Sequence, residues 1–81
     1  MELNILDLRQ QRCPMTLLLA KRHTAQLVTG ESVTILISEQ SSLKDIESYL
    51  RNHNYSCSNS LNEGYYSLKV VKETSLNVRN D

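Results

Sequence analysis

Ser32-Val33-Thr34-Ile35-Leu36-Ile37 is a run of β-branched and aliphatic residues that follows Gly30. Branching at Cβ favours extended backbone, so the run reads as a strand. Gly30 reads as the stop of a preceding helix. That helix opens at Pro14, and its apolar residues Leu17, Leu18, Ala20, Ala25, Leu27 and Val28 recur at spacings of about three and four, with Lys21, Arg22, His23 and Gln26 between them. Further upstream, Leu3 to Leu8 reads as a first strand, with Leu3 and Ile5 on one parity and Leu6 and Leu8 on the other, so both faces are expected to be partly buried. A strand, a helix and a strand in this order predict a right-handed βαβ unit with parallel strands.

Downstream, Ser42 precedes Leu43, Ile46 and Leu50, and Asp45 follows it by three, the pattern of a capping box at the start of a second helix. That helix is expected to end near His53 or Asn54. Tyr55, Cys57 and Leu61 then share one parity against Ser56, Ser58 and Ser60, which predicts a half-exposed third strand. Asn62-Glu63-Gly64 reads as a hairpin loop, and Tyr66, Leu68 and Val70 as the inward face of a fourth strand. The expected fold class is α+β: a two-layer sandwich in the order β-α-β-α-β-β, with two helices on one face of a four-stranded mixed sheet.

Eighty-one residues, 40% of them hydrophobic and 22% charged, fit one domain over 1–72 and a polar tail over 73–81, where Leu76 and Val78 are the apolar residues able to dock. The chain shows neither a run of about 20 apolar residues nor a secretory leader, so a cytoplasmic protein without membrane insertion is expected. Nine basic and nine acidic residues cancel, and no net field draws the domain onto a phosphate backbone, so direct nucleic-acid binding is not expected. Cys13, His23, His53 and Cys57 lack the close pairwise spacing of a zinc site, and no metal or other cofactor is implied.

Arg12-Cys13-Pro14-Met15-Thr16 carries the candidate chemistry. Proline suits the first helical position, where its missing N–H has no intrahelical partner anyway. Cys13 is then expected at the N-cap, in exchange for part of a capping contribution of roughly 1 kcal/mol from Ser, Thr, Asp or Asn. Sulfur at that point meets free amides and the positive end of the helix dipole, which lower a thiol pKa from about 8.5 toward ~3.5–7.5. The Met15 and Thr16 amides are the expected donors, with a Thr16 hydroxyl able to reach back toward Cys13, and Arg9 and Arg12 add positive charge. The two helices should run side by side and begin at the same edge. His23, ten residues beyond Cys13, then lies about 15 Å away along the helix, and His53 falls at the far end, so neither is placed as a general base. Cys57, on the apparent core parity, is expected to pack. Lys21 and Arg22 are candidate docking residues for an acidic partner, Asp7 and Arg9 are placed to shape the loop, and of Tyr65 and Tyr66 one should pack and the other stay partly exposed.

Leu6-Asp7-x-Arg9 leading into Cys13-Pro14, the Gly30-Glu31 turn before Val33 and Ile35, the Asp45-Ile46 pair and the final Tyr66-x-Leu68-x-Val70-x-Lys72 strand resemble the TusA/SirA-like family of small sulfur carrier proteins over most of the chain. The family motif is Cys-Pro-x-Pro, and Thr16 stands where it has the second proline. Gln10 or Gln11 stands for a common glycine, and Asn54-Tyr55 for a glycine-histidine pair. The resemblance implies two helices on a four-stranded mixed sheet. It also implies a role for Cys13 as the cysteine that takes sulfane sulfur as a persulfide from a donor such as a cysteine desulfurase and passes it to an acceptor protein, toward tRNA thiolation, cofactor synthesis or sulfur oxidation. A monomeric sulfurtransferase that docks protein partners is the expectation. A non-transferring adaptor of the same fold and a thiol redox sensor are the other readings.

Overall fold

The computed structural model describes residues 4–12 and 14–73. Cys13, Leu3 and the tail positions 74–81, with Leu76 and Val78, lie outside the described residues. The elements are β1 (Ile5–Asp7), α1 (Met15–Thr24), β2 (Ser32–Ile37), α2 (Gln40–Arg51), β3 (Tyr55–Asn62) and β4 (Tyr65–Lys72). The sheet order is β1-β2-β4-β3, with β1 parallel to β2 and the other two pairings antiparallel. The chain is thus an α+β two-layer sandwich, as its patterning predicts.

Strand β2 matches its predicted bounds, because Val33, Ile35 and Ile37 alternate inward and are at most 1% exposed. They meet Val70, Leu68 and Tyr66 of β4 in register, and Ala20, Leu43, Ile46 and Leu50 cover this face from the helices. Among the described residues no helix covers the opposite face of the sheet, which carries Ile5, Thr34, Lys69 and Ser58 in one row across the four strands. Ile5 is therefore 51% exposed, and β1 buries one parity only, that of Leu6 and Leu8.

Helix α1 is shorter than its apolar spacing suggests. Leu27 and Thr24 are joined by an i→i−3 bond of 3.0 Å, as are Gln26 and His23 at 3.2 Å, so the backbone tightens and leaves the α ladder after Thr24. Leu27 reaches the core from this turn, whereas Val28 is 62% exposed and Leu18, within the helix, is 52% exposed. The buried stripe is instead Thr16, Ala20 and Thr24, small side chains that let α1 lie close to its neighbours. At the other end the N-cap is Pro14 and not the predicted Cys13.

Helix α2 begins three residues before the predicted Ser42, at an extended Glu39 N-cap. Ser42 is 1% exposed, and its hydroxyl donates to the Glu39 carboxylate at 3.1 Å, a side-chain pair that caps no amide, so the predicted capping box does not form. The helix ends at Arg51 rather than at His53 or Asn54, and Asn54 turns the chain with φ +67°. Asparagine tolerates this left-handed conformation better than most residues other than glycine, which explains how it stands in a glycine's place. The β3–β4 hairpin closes through Glu63-Gly64, with Gly64 at φ +83°. Burial falls along β3 from Tyr55 at 8% to Leu61 at 73%, so Leu61 does not join the core despite its parity.

The Tyr55 hydroxyl donates to the Thr24 carbonyl at 2.9 Å in a buried setting, which ties the start of β3 to the end of α1. Tyr55→Phe removes this bond without a large change of shape and is expected to lower unfolding free energy by about 1 kcal/mol, as read by urea denaturation. An unchanged denaturation midpoint contradicts this coupling.

Candidate functional site

Because β1, β2 and β3 share one direction, α1 and α2 both return across the sheet and both start where β1 and β2 end. The loop after β1 consequently sits beside Ser38, which follows β2, and beside Tyr65, which opens β4. The contacts agree: the Ser38 hydroxyl donates to the Arg9 carbonyl at 2.8 Å, and the Arg9 guanidinium lies 4.9 Å from the centre of the Tyr65 ring. The Leu8 amide donates to the Leu36 carbonyl at 2.8 Å, extending the β1–β2 ladder, and the Gln11 amide turns back onto the Leu8 carbonyl at 3.1 Å. This loop is the segment that leads into Cys13.

Asp7 and Arg9 pair at its start. The Asp7 carboxylate accepts from Arg9 Nε at 2.9 Å, from Arg9 Nη2 at 2.8 Å and from the Arg9 amide at 3.1 Å. A planar fork meeting a carboxylate in this way fixes orientation as well as charge. The side-chain hydrogen bonds first, and then the backbone one, pull the Asp7 carboxyl down to about 2 from 3.8, while the same contact raises Arg9. Since Asp7 matches the Arg9 charge, Arg9 acts as a strut of the loop more than as an open cation.

Arg12, Pro14 and Met15 are exposed, and among the described residues no carboxylate pairs with Arg12. The Thr16 amide, expected as a donor toward sulfur, is engaged: it donates to the Arg12 carbonyl at 3.1 Å and closes the first α-turn. The Thr16 side chain is 1% exposed, and its Oγ1 has no hydrogen-bond partner among the described residues.

The histidines lie at the opposite edge. His23 Nε2 is 3.0 Å from Asn4 Oδ1 before β1, and His53 Nδ1 donates to the Tyr49 carbonyl at 2.7 Å with its ring stacked on Tyr49. Neither approaches the loop. Lys21 and Arg22 are separated in role: the Lys21 ammonium lies 5.0 Å from the Tyr49 ring centre, and Arg22 is exposed. Tyr66 packs against the core, whereas Tyr65 is half-buried beneath Arg9. Cys57 also packs against the core, and burial pushes its thiol pKa up. Among the described residues no three His, Cys, Asp or Glu side chains gather to hold a metal, and no helix is long and apolar enough to cross a membrane.

One feature of this surface escapes a reading based on net charge. From Leu8 to Gly30 the chain has no acidic residue, and it carries Arg9, Arg12, Lys21 and Arg22. Met15 and Leu18, 47% and 52% exposed, align with Arg22 at i, i+3 and i+7 along the outer face of α1. A local tally of charge, instead of a sum over the chain, is the signal that finds it.

The architecture is that of a SirA-like domain. A crystal structure of the SirA-like protein from Desulfitobacterium hafniense superposes with a TM-score of 0.78 at 22% identity, covering 89% of this chain and 100% of that one. The solution structure of HP1264 from Helicobacter pylori is also similar, with a TM-score of 0.69 at 16% identity and the same coverage of 89% and 100%. Residues 4–72 match the family model described as sulfurtransferase TusA, and the chain belongs to that family. TusA-family proteins act as sulfur carriers with protein partners. No curated protein sequence matches the chain.

The Asp7–Arg9 fork predicts a specific titration. A carboxylate whose folded pKa is depressed stabilises the fold above its unfolded value near 4, and this contribution is lost as pH falls through about 2. In Arg9→Gln the Asp7 carboxyl resonance, followed by carbon NMR, should titrate well above pH 2, toward the ordinary carboxylate range. An unchanged midpoint contradicts the assignment of the shift to Arg9.

Proposed function

We propose that Cys13 is the sulfur-carrying residue and that the protein relays sulfane sulfur between two protein partners. The observation that supports this reading is the sequence position of the Cys13-Pro14 pair within residues 4–72, the segment matched by the sulfurtransferase family, directly after a loop whose Arg9 carbonyl is held by Ser38. The Cys13 thiolate attacks the outer sulfur of a donor persulfide. A new S–S bond forms at Cys13, the donor's own S–S bond breaks, and the donor thiolate leaves and takes up a proton. An acceptor thiolate then attacks the outer sulfur on Cys13 and releases the Cys13 thiolate, so no external oxidant or reductant is consumed. Arg12, Pro14, Met15 and Thr16 support the sulfur through charge and local backbone, with Arg9 fixing the loop below.

Docking falls on the outer face of α1, where Met15, Leu18 and Arg22 suit a partner that offers an apolar socket with carboxylates around it. A cysteine desulfurase is the proposed class of donor. In this reading residues 1–72 form the working domain and 73–81 a tail, the protein acts in the cytoplasm as a monomer, and tRNA thiolation is one destination for the sulfur. The replacement of the second motif proline by Thr16 favours a second reading, an adaptor that docks partners without carrying sulfur.

The two readings separate in one experiment. Reduced protein is incubated with a cysteine desulfurase, pyridoxal phosphate and cysteine, and its intact mass is measured. A gain of about 32 Da that reductant removes, that Cys13→Ser abolishes and that Cys57→Ser retains is expected for persulfide relay. No gain, from the desulfurase or from a direct persulfide donor, contradicts relay and leaves the adaptor.

A further inference from the structure

Strand β3 is the outer strand at the edge of the sheet away from β1. Its eight residues, Tyr55–Asn62, pair one to one with β4 and form no bulge. The run Tyr-Ser-Cys-Ser-Asn-Ser-Leu-Asn contains no charge, no proline and no glycine. Proteins ordinarily guard such an edge with lysine, proline, a bulge or a very short strand, because its free backbone groups invite a further strand. The other edge is guarded in this way: β1 has three residues, and Asp7 and Arg9 set charge at its end. Strand β3 has none of these devices.

The direction of its free groups follows from the neighbouring bonds. The Glu73 amide donates to the Asn54 carbonyl at 3.0 Å, whereas the Lys72 amide donates to Glu31 and the Lys72 carbonyl accepts from Gly30, both on the side away from β3. Opposed residues of an antiparallel ladder alternate between bonded and non-bonded pairs. Ser56, Ser58, Ser60 and Asn62 therefore bond to β4, and Tyr55, Cys57, Asn59 and Leu61 direct their amides and carbonyls outward. Among the described residues nothing pairs with those outward groups.

A second copy of β3 fits this edge. Turned antiparallel about a two-fold axis, with Ser58 opposite itself, it brings Tyr55 opposite Leu61, Cys57 opposite Asn59 and Ser56 opposite Ser60. Every outward residue of one copy then meets an outward residue of the other. Directly opposed side chains share a face, so the serines meet on the open face of the sheet, and Leu61, 73% exposed although on the core parity, gains Tyr55 of the second copy as its neighbour on the helix side. No like charges are opposed along the strand. We propose that two copies of this chain associate through β3, in a symmetric pair that continues the sheet from one copy into the other. This self-associated form stands in equilibrium with the relaying monomer, and it does not depend on the role of Cys13.

Sedimentation equilibrium of the full chain under reductant is the test. From about 10 to about 500 μM the weight-average mass should rise from one chain toward two and no further. Ser58 is exposed, so charge placed there leaves the core untouched. Ser58→Lys sets two ammonium groups against each other at the axis and Ser58→Asp two carboxylates, and each should weaken association at least about fivefold. An equimolar mixture of the two variants should recover it, because lysine then opposes aspartate. Where circular dichroism shows a Ser58 variant unfolded, Leu61→Lys, at a side chain already in solvent, takes its place and should weaken association likewise. A parent that keeps the mass of one chain at every concentration, a Ser58→Lys variant that associates as the parent does, or a mixture no stronger than its separate components overturns the proposal.

Discussion

Three parallel residue pairs, Ile5 with Thr34, Leu6 with Ile35 and Asp7 with Leu36, hold β1 at the edge of the sheet, and the loop that leads into Cys13 hangs from that strand. A backbone bond closes each end of this short ladder, Thr34 to Asn4 and Leu8 to Leu36, both at 2.8 Å. Leu6 and Leu8 supply the burial that keeps so short a strand docked, and Leu8 is only 2% exposed. Parallel pairing in turn requires a crossover, and α1 provides it. The direction of β1 thereby sets where α1 starts, and with it the edge on which the loop before α1 lies.

From that edge along the outer face of α1, charge is organised in two tiers. Arg9 is held by Asp7 and lies over Tyr65, so its positive charge serves to fix the loop. Arg12 and Arg22 remain open on a stretch of chain that has no acidic residue. A protein of zero net charge can thus present a locally basic and partly apolar face, with Met15 and Leu18 between the two arginines. Such a face favours encounter with an acidic partner surface and is sensitive to salt. The histidines are held at the other edge, away from the loop that precedes Cys13 in sequence.

Much of this architecture is legible in the sequence, and the departures have physical causes. Strand β2 reads correctly because alternation and β-branching agree over Ser32–Ile37. Helix α1 reads too long because Leu27 and Val28 continue the apolar spacing while the backbone has already tightened beyond Thr24. Leu18 and Leu61 read as core from periodicity, yet one faces outward on a helix whose buried stripe is made of small residues, and the other lies where an edge strand loses its cover. The start of α2 is hidden because a glutamate stands at the N-cap without a side-chain capping bond, and the serine sits inside the first turn. Around the candidate site, the loop's place and the distance of both histidines follow from element order alone. The fork between Asp7 and Arg9, the Tyr65 contact and the unpaired Thr16 hydroxyl are tertiary facts that spacing does not reveal.

In the proposed relay the two cysteines differ in kind: Cys13 is the activated thiol, whereas Cys57 packs against the core with its thiol pKa raised by burial. Their relative alkylation rates across pH 5 to 9, followed by mass spectrometry of peptides containing each cysteine, test this most directly. Cys13 should react at least about tenfold faster than Cys57 near pH 6.5, with a midpoint below the ordinary thiol value of about 8.5. Equal rates for the two, or a Cys13 midpoint at or above that value, would contradict the assignment of Cys13 as the activated thiol.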